Sequence, residues 1–141
     1  MQKIIIFLFL LIFNCNVFAD SSSDVVWTEV EWNHSKDNLK SYVDRKSIVK
    51  PIPSDQKIVG MWSLIDFQLT VDNKTENYSA KTSNEFDCEK RLVRSEYYVL
   101  YSDRMGTGTV LHSSNRISAW EVPSTKNNDL NLLIVACDAF L

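Results

Sequence analysis

Two cysteines, Cys88 and Cys137, remain in this chain once an N-terminal export segment is set aside, and an even pair in an exported protein is expected to close one disulfide. Any fold must therefore bring together two points about 50 residues apart. The pairing depends on the fate of Cys15, which falls inside residues 1–19, a segment that reads as a cleaved signal peptide. Lys3 supplies the positive start, and Ile4 to Phe13 form an unbroken apolar run. The run is too short to cross a bilayer as a helix, which takes about 20 residues. Val17-Phe18-Ala19 provides the cleavage site, with Asp20 as the expected mature N-terminus. The alternative, acylation of a retained Cys15, calls for small residues before the cysteine. Ile12-Phe13-Asn14 places Phe and Asn there, so a lipid anchor through Cys15 is not expected.

About 120 residues follow Ala19, enough for one modest core, so residues 20–141 read as a single domain. Without Lys3 the chain carries 14 basic side chains against 18 acidic ones, and a mildly acidic domain is a poor partner for nucleic acid. Ser21-Ser22-Ser23-Asp24 reads as a flexible lead-in. The mature segment contains no apolar run long enough for a transmembrane helix.

Alternating β-branched and aromatic residues mark strands at Val25–Trp32, Ser41–Ile48, Lys57–Leu69, Asn77–Cys88, Leu92–Ser102, Gly108–His112 and Arg116–Val122. In the fourth, Tyr78, Ala80, Thr82, Phe86 and Cys88 share one face. Ser79, Lys81, Ser83, Glu85 and Asp87 share the other, which is expected to be wet. The third is apolar on both faces, as suits a central strand or one bent near Gly60. Asp72-Asn73-Lys74 and Ser102 to Gly106 read as turns.

The period changes after Pro123, where Ser124 or Thr125 offers a helix N-cap. Leu130, Leu133, Ile134 and Cys137 then fall on one helical stripe, so Cys137 is expected to face inward from a helix as Cys88 does from a strand. The expected fold is α+β: an antiparallel, meander-like sheet of about six strands with a C-terminal helix stapled to it.

Catalytic signatures are few. His34 and His112 stand in no metal-site or nucleophile spacing, and CxxC, HExxH and GxSxG are absent. Gly106-Thr107-Gly108 opens like a dinucleotide fingerprint, but Leu111 occupies the third glycine position, and a hairpin connection fits better. Glu85 and Asp87 share a strand face, where such charges ordinarily serve solubility. The expectation is a non-enzymatic protein without a cofactor or metal.

Lys90, Arg91 and Arg94 form the one concentrated basic patch, a candidate docking point for an acidic stretch of a partner or a sulfated polysaccharide. Salt bridges to Glu85, Asp87, Glu89 and Glu96 are the competing reading. Trp27, Trp32, Trp62 and Trp120 are expected to pack in the core, Trp62 and Trp120 above all, with Trp32 the most exposed; a ligand-stacking role is the alternative.

One family pattern runs from about Trp27 to Cys137. Its carriers are Trp27, Tyr42-Val43-Asp44 with Ser47-Ile48, the strand Met61-Trp62-Ser63-Leu64-Ile65-Asp66-Phe67, and Ser83 ahead of Glu85-Phe86-Asp87-Cys88. Arg91, Arg94, Tyr101-Ser102, Met105-Gly106-Thr107-Gly108, Trp120, Pro123-Ser124 and Cys137 complete it. In order and spacing this resembles the surface-adhesin protein E family of exported bacterial proteins. The usual glycine between the late proline and serine is missing here.

The resemblance implies an antiparallel sheet whose concave side holds the C-terminal helix through a disulfide, and self-association as a homodimer. It further implies adhesion to host matrix or serum proteins such as vitronectin, laminin or plasminogen. The best-known member is lipid-anchored, whereas Ile12 to Cys15 here argue for an unanchored mature form, periplasmic, secreted or surface-associated. Two functions follow as expectations: an adhesin-like binding protein, or an envelope accessory protein with a bacterial partner.

Overall fold

The computed structural model describes residues 25–32, 39–50, 57–124, 126 and 128–138. The expected signal peptide with Cys15, the serine-rich lead-in, His34 and the Thr125 cap lie outside the described residues. Six strands pair antiparallel in chain order: β1 (Trp27–Val30), β2 (Leu39–Val49), β3 (Ile58–Val71), β4 (Lys74–Asp87), β5 (Leu92–Tyr101) and β6 (Val110–Ser114). Helix α1 (Asp129–Asp138) follows them, and the disulfide Cys88–Cys137 joins it to the end of β4 with Cα atoms 5.6 Å apart.

The meander follows from the turns. At the β3–β4 hairpin Val71 faces Lys74, which leaves Asp72 and Asn73 as a two-residue loop with φ of 50° and 62°. Both residue types tolerate that left-handed conformation, and its twist matches that of the strands it joins. Both central strands are long, 14 residues each, and their ladder is unbroken from Ile58↔Asp87 to Val71↔Lys74.

Register sorts the side chains onto two faces. On one, Val43, Val59, Met61, Phe86 and Val93 meet Leu132, Leu133 and Ala136 of α1, and Val30, Ile48, Val135 and both cysteines pack around them. Phe86, Val43, Val59 and Ala136 are fully buried. Each large apolar side chain so placed is worth about 1.5–3 kcal/mol of hydrophobic stabilisation. Under the helix the amide of Asn84 donates to Ser63 Oγ at 2.8 Å, which satisfies two polar groups in the covered region.

The opposite face is covered at its other end. The chain between β5 and β6 folds over it as a short turn at Arg104–Gly106, with Met105 at φ 54°. The Met105 amide donates to Asp66 Oδ1 at 2.8 Å, and the Gly106 amide donates to Ser79 Oγ at 2.8 Å. Gly106 stands at φ 68°, a left-handed conformation that favours glycine, and a Cβ there would have to push aside the flexible end of Lys81, whose Cε lies 2.0 Å from that position. Leu64, Val99, Ser79 and Asp66 are buried beneath. Ser79, expected on a wet face, is thus 0% exposed. Strand periodicity could not reveal this covering because the turn comes from more than 20 residues downstream.

Four further expectations are corrected. Arg116–Val122 is not a strand: Val93 and Glu121 exchange main-chain hydrogen bonds at 2.9 Å as one isolated bridge, and Ser118 donates to Ser95 at 2.9 Å. β5 has a register shift near that point, which interrupts the edge a continuous ladder would need. The helix buries Leu132, Leu133 and Ala136, with Cys137 partly buried, while Ile134 is 46% exposed. The buried stripe is therefore turned from the expected one. Nor does Ser124 cap α1: its Oγ accepts from Lys126, and the helix starts beyond Asn128, a residue at φ 67° whose carbonyl takes the Leu132 amide at 3.1 Å. Finally, Trp62 and Trp120 are half-buried on the face away from α1 and not in the core.

Candidate functional site

The three basic residues singled out in the sequence are separated by the fold. Asp87 ends β4 and its Oδ1 accepts from the amides of Glu89 at 3.1 Å and Lys90 at 2.8 Å, a carboxylate-capped turn that carries the chain into β5. Lys90 folds back to the same carboxylate, with Nζ 3.6 Å from Oδ2 and a side chain 73% exposed. Solvent screens such a pair to little energetic value. Arg91 closes the turn at φ 56° and is exposed. Among the described residues no carboxylate lies within ion-pair distance of it.

Arg94 lies on the other face. Opposite Glu85 in the β4–β5 register, it donates from Nε to Glu85 Oε2 at 2.6 Å, and its guanidinium sits 4.5 Å from the ring centre of Trp120. Both partners of the pair are mostly buried, so Arg94 is committed to the fold. Of the three, Arg91 alone combines exposure with the lack of a carboxylate partner.

Arg91 borders a pocket of about 290 Å³ formed where α1 meets the β4–β5 turn. Lys57 enters from the start of β3, where its carbonyl accepts from the Cys88 amide at 2.8 Å. The disulfide, Leu133 and Ile134 give it an apolar wall, and Asp138 stands at the helix end. The disulfide thus has a second consequence beyond tethering the helix: it places the exposed Ile134 beside two cations. Sequence reasoning did not single out Lys57, and it placed Ile134 on the buried helical stripe, not at a site. No signal there joins a residue before β3 to one on the last helix except the cysteine pair itself.

A row of aromatic and charged side chains crosses the face away from α1. Trp27, Asp44, Trp62, Ser83 and Tyr97 lie in one cross-strand register, and Lys81 Nζ sits 5.9 Å from the Trp27 ring and 5.3 Å from that of Tyr101. Tyr42, in the next register row, has its phenol pushed above the ordinary value, first by burial and then by the Asp66 carboxylate.

The architecture is a disulfide-stapled meander with one covering helix, its chemistry displayed on surfaces. The sequence model of surface-adhesin protein E matches residues 27–138, and the chain belongs to that family. It is accordingly an adhesin-like surface protein. A crystal form of Haemophilus influenzae protein E superposes with a TM-score of 0.50 at 12% identity, covering 80% of this chain and 98% of that one, which shows the shared fold. The selenomethionine form of the same H. influenzae protein aligns at 17% identity over 67% of this chain and 78% of that one, with a TM-score of 0.44. No curated protein matches the sequence. Among the described residues no helix is long and apolar enough to cross a membrane.

Proposed function

We propose that residues 20–141 form a non-enzymatic protein-binding domain that works outside the cytoplasm after removal of residues 1–19, and that its ligand docks where α1 meets the β4–β5 turn. The observation that carries this is the pocket at the disulfide, which sets Arg91 and Lys57 beside Leu133 and Ile134. Cations next to exposed apolar surface suit an acidic segment of a protein that also brings an apolar side chain. Lys90, on the same turn, adds long-range attraction on an otherwise acidic molecule. Family membership supports adhesion as the role, with host matrix or serum proteins such as vitronectin, laminin or plasminogen as candidate ligands. A bacterial envelope protein is the competing partner, and a homodimer is a further reading drawn from the family resemblance.

Pull-down of the disulfide-bonded domain against matrix proteins and, separately, against the producer's envelope fraction tests this reading. Capture of a matrix protein that weakens on replacing Arg91 and Lys57 by Ala, and with rising salt, is the expected result. Capture insensitive to both changes overturns the docking surface. Recovery of the protein only from periplasm, with capture only from the envelope fraction, replaces host adhesion by the envelope role.

A further inference from the structure

On the face away from α1, two irregularities fall at the same level of the sheet. In β2 the register passes from Asp44↔Trp62 to Val49↔Gly60, so the chain between Asp44 and Val49 bulges. Ser47 Oγ fills the gap in the ladder by accepting from the Trp62 amide at 2.8 Å. In β5, Ser95 faces Asn84 and Tyr97 faces Ser83, which leaves Glu96 as the inserted residue. Bulges of this kind re-aim side chains, and between these two lies a pocket of about 250 Å³ over Gly60.

Its walls have a definite chemistry. Trp62 stands on one side, its ring set edge-on against Tyr97 with centres 6.1 Å apart. Glu96 and Glu85 supply carboxylates. Glu96 accepts from Ser83 Oγ at 3.4 Å, and among the described residues no cation lies within ion-pair distance of it. At Gly60 a Cβ would meet nothing nearer than the Val49 carbonyl oxygen at 4.0 Å. The backbone there does not require glycine, so what its missing side chain provides is space.

The same face already shows what such a pair of groups holds. Arg94 is bound between the Glu85 carboxylate and the Trp120 ring. Glu96 and Trp62 repeat that pairing around the pocket. We propose that this pocket receives an arginine or lysine side chain from a basic segment of a partner protein, its charge meeting Glu96 and its stem or guanidinium lying on Trp62. The site differs from the Arg91 pocket in face and in sign. It rests on the protein-binding reading only in that a protein carries the cation.

The test uses the disulfide-bonded domain labelled with nitrogen-15 and three blocked tripeptides, Gly-Arg-Gly, Gly-Lys-Gly and Gly-Gln-Gly, followed at the Trp62 indole N–H. A saturable shift with the arginine or lysine peptide and none with the glutamine peptide is expected. Glu96→Gln should weaken the response about tenfold, the share of one charge-assisted hydrogen bond. Gly60→Val should abolish it while leaving the melting midpoint equal or higher, since a β-branched residue suits an open strand position. If Gly60→Val fails to fold, Glu96→Gln carries the test. No shift at Trp62 with either basic peptide, an equal shift with the glutamine peptide, or undiminished binding by the folded variants overturns the pocket. Matrix-protein capture that persists in Gly60→Val leaves the Arg91 reading standing, so the two proposals fail separately.

Discussion

The amide of Met105 donates to the buried carboxylate of Asp66 at 2.8 Å, a contact across 39 residues that fixes the β5–β6 connection onto the face away from the helix. Asp66 is 6% exposed and its neighbour Ser79 is fully buried by the same turn. One anchored turn therefore gives this end of the sheet a second covering layer, which α1 gives the opposite face at the other end.

Asp66→Ala should cost about 1–3 kcal/mol, because the Met105 amide loses a charged acceptor in a covered site. Urea denaturation measures the loss, and faster hydrogen exchange at the Met105 and Gly106 amides locates it. Unchanged exchange at both amides would show that the turn is held by other contacts.

Cys137→Ser should remove about 4 kcal/mol, the entropy of closing a loop of about 50 residues, which is a large share of the roughly 5–15 kcal/mol typical of a domain. The helix should loosen and uncover Leu132, Leu133 and Ala136, raising binding of a dye specific for apolar surface. A melting midpoint close to that of the parent, with no added dye binding, would disprove the tether.

Arg94→Ala and Arg91→Ala should separate cleanly. The first strips Glu85 of its partner and bares Trp120, so a stability loss of about 1–2 kcal/mol and a midpoint lower by several degrees are expected. Arg91→Ala, at an exposed turn, should stay within about 0.5 kcal/mol of the parent. Equal thermal shifts for the two variants would contradict these different roles.

Raising the pH should reveal Tyr42. Burial and Asp66 disfavour its phenolate in the folded state, so its folded pKa lies above the unfolded one. A group shifted upward contributes stability that is complete below its unfolded pKa and is lost as pH climbs through the folded value. Stability should therefore decline above about pH 10, and more steeply than in Tyr42→Phe. Phenolate absorbance, compared between parent and variant, should place Tyr42 above an ordinary tyrosine; ionisation at the ordinary value would refute the assignment.

Much of the fold was legible along the chain because its determinants are local. The two-faced apolar run Lys57–Leu69, the alternation in Asn77–Cys88, the turn-forming Asp72-Asn73-Lys74 between them and the 3.6-residue pattern before Cys137 set out a meander sheet followed by a helix, and the structure has strands at Ile58–Val71 and Lys74–Asp87 before it. The cysteine pair supplied the one long-range link that sequence can announce, and the bond is there. The basic patch was legible as composition but not as geometry. Arg91 and Arg94 are three residues apart, yet one reaches the disulfide pocket and the other Glu85 and Trp120 on the opposite face.

By itself, then, the sequence determined the run of six strands ahead of a C-terminal helix, though not that Arg116–Val122 stays out of the sheet, together with the disulfide and the family pattern, since propensity, turn chemistry and cysteine count act over short spans or through a covalent bond. Tertiary structure alone decided which helix stripe is buried, why Ser79 is covered, and how two bulges open a pocket over Gly60 between Trp62 and Glu96. Those depend on register and on surfaces brought together from distant segments, where packing and desolvation rather than local preference choose the arrangement.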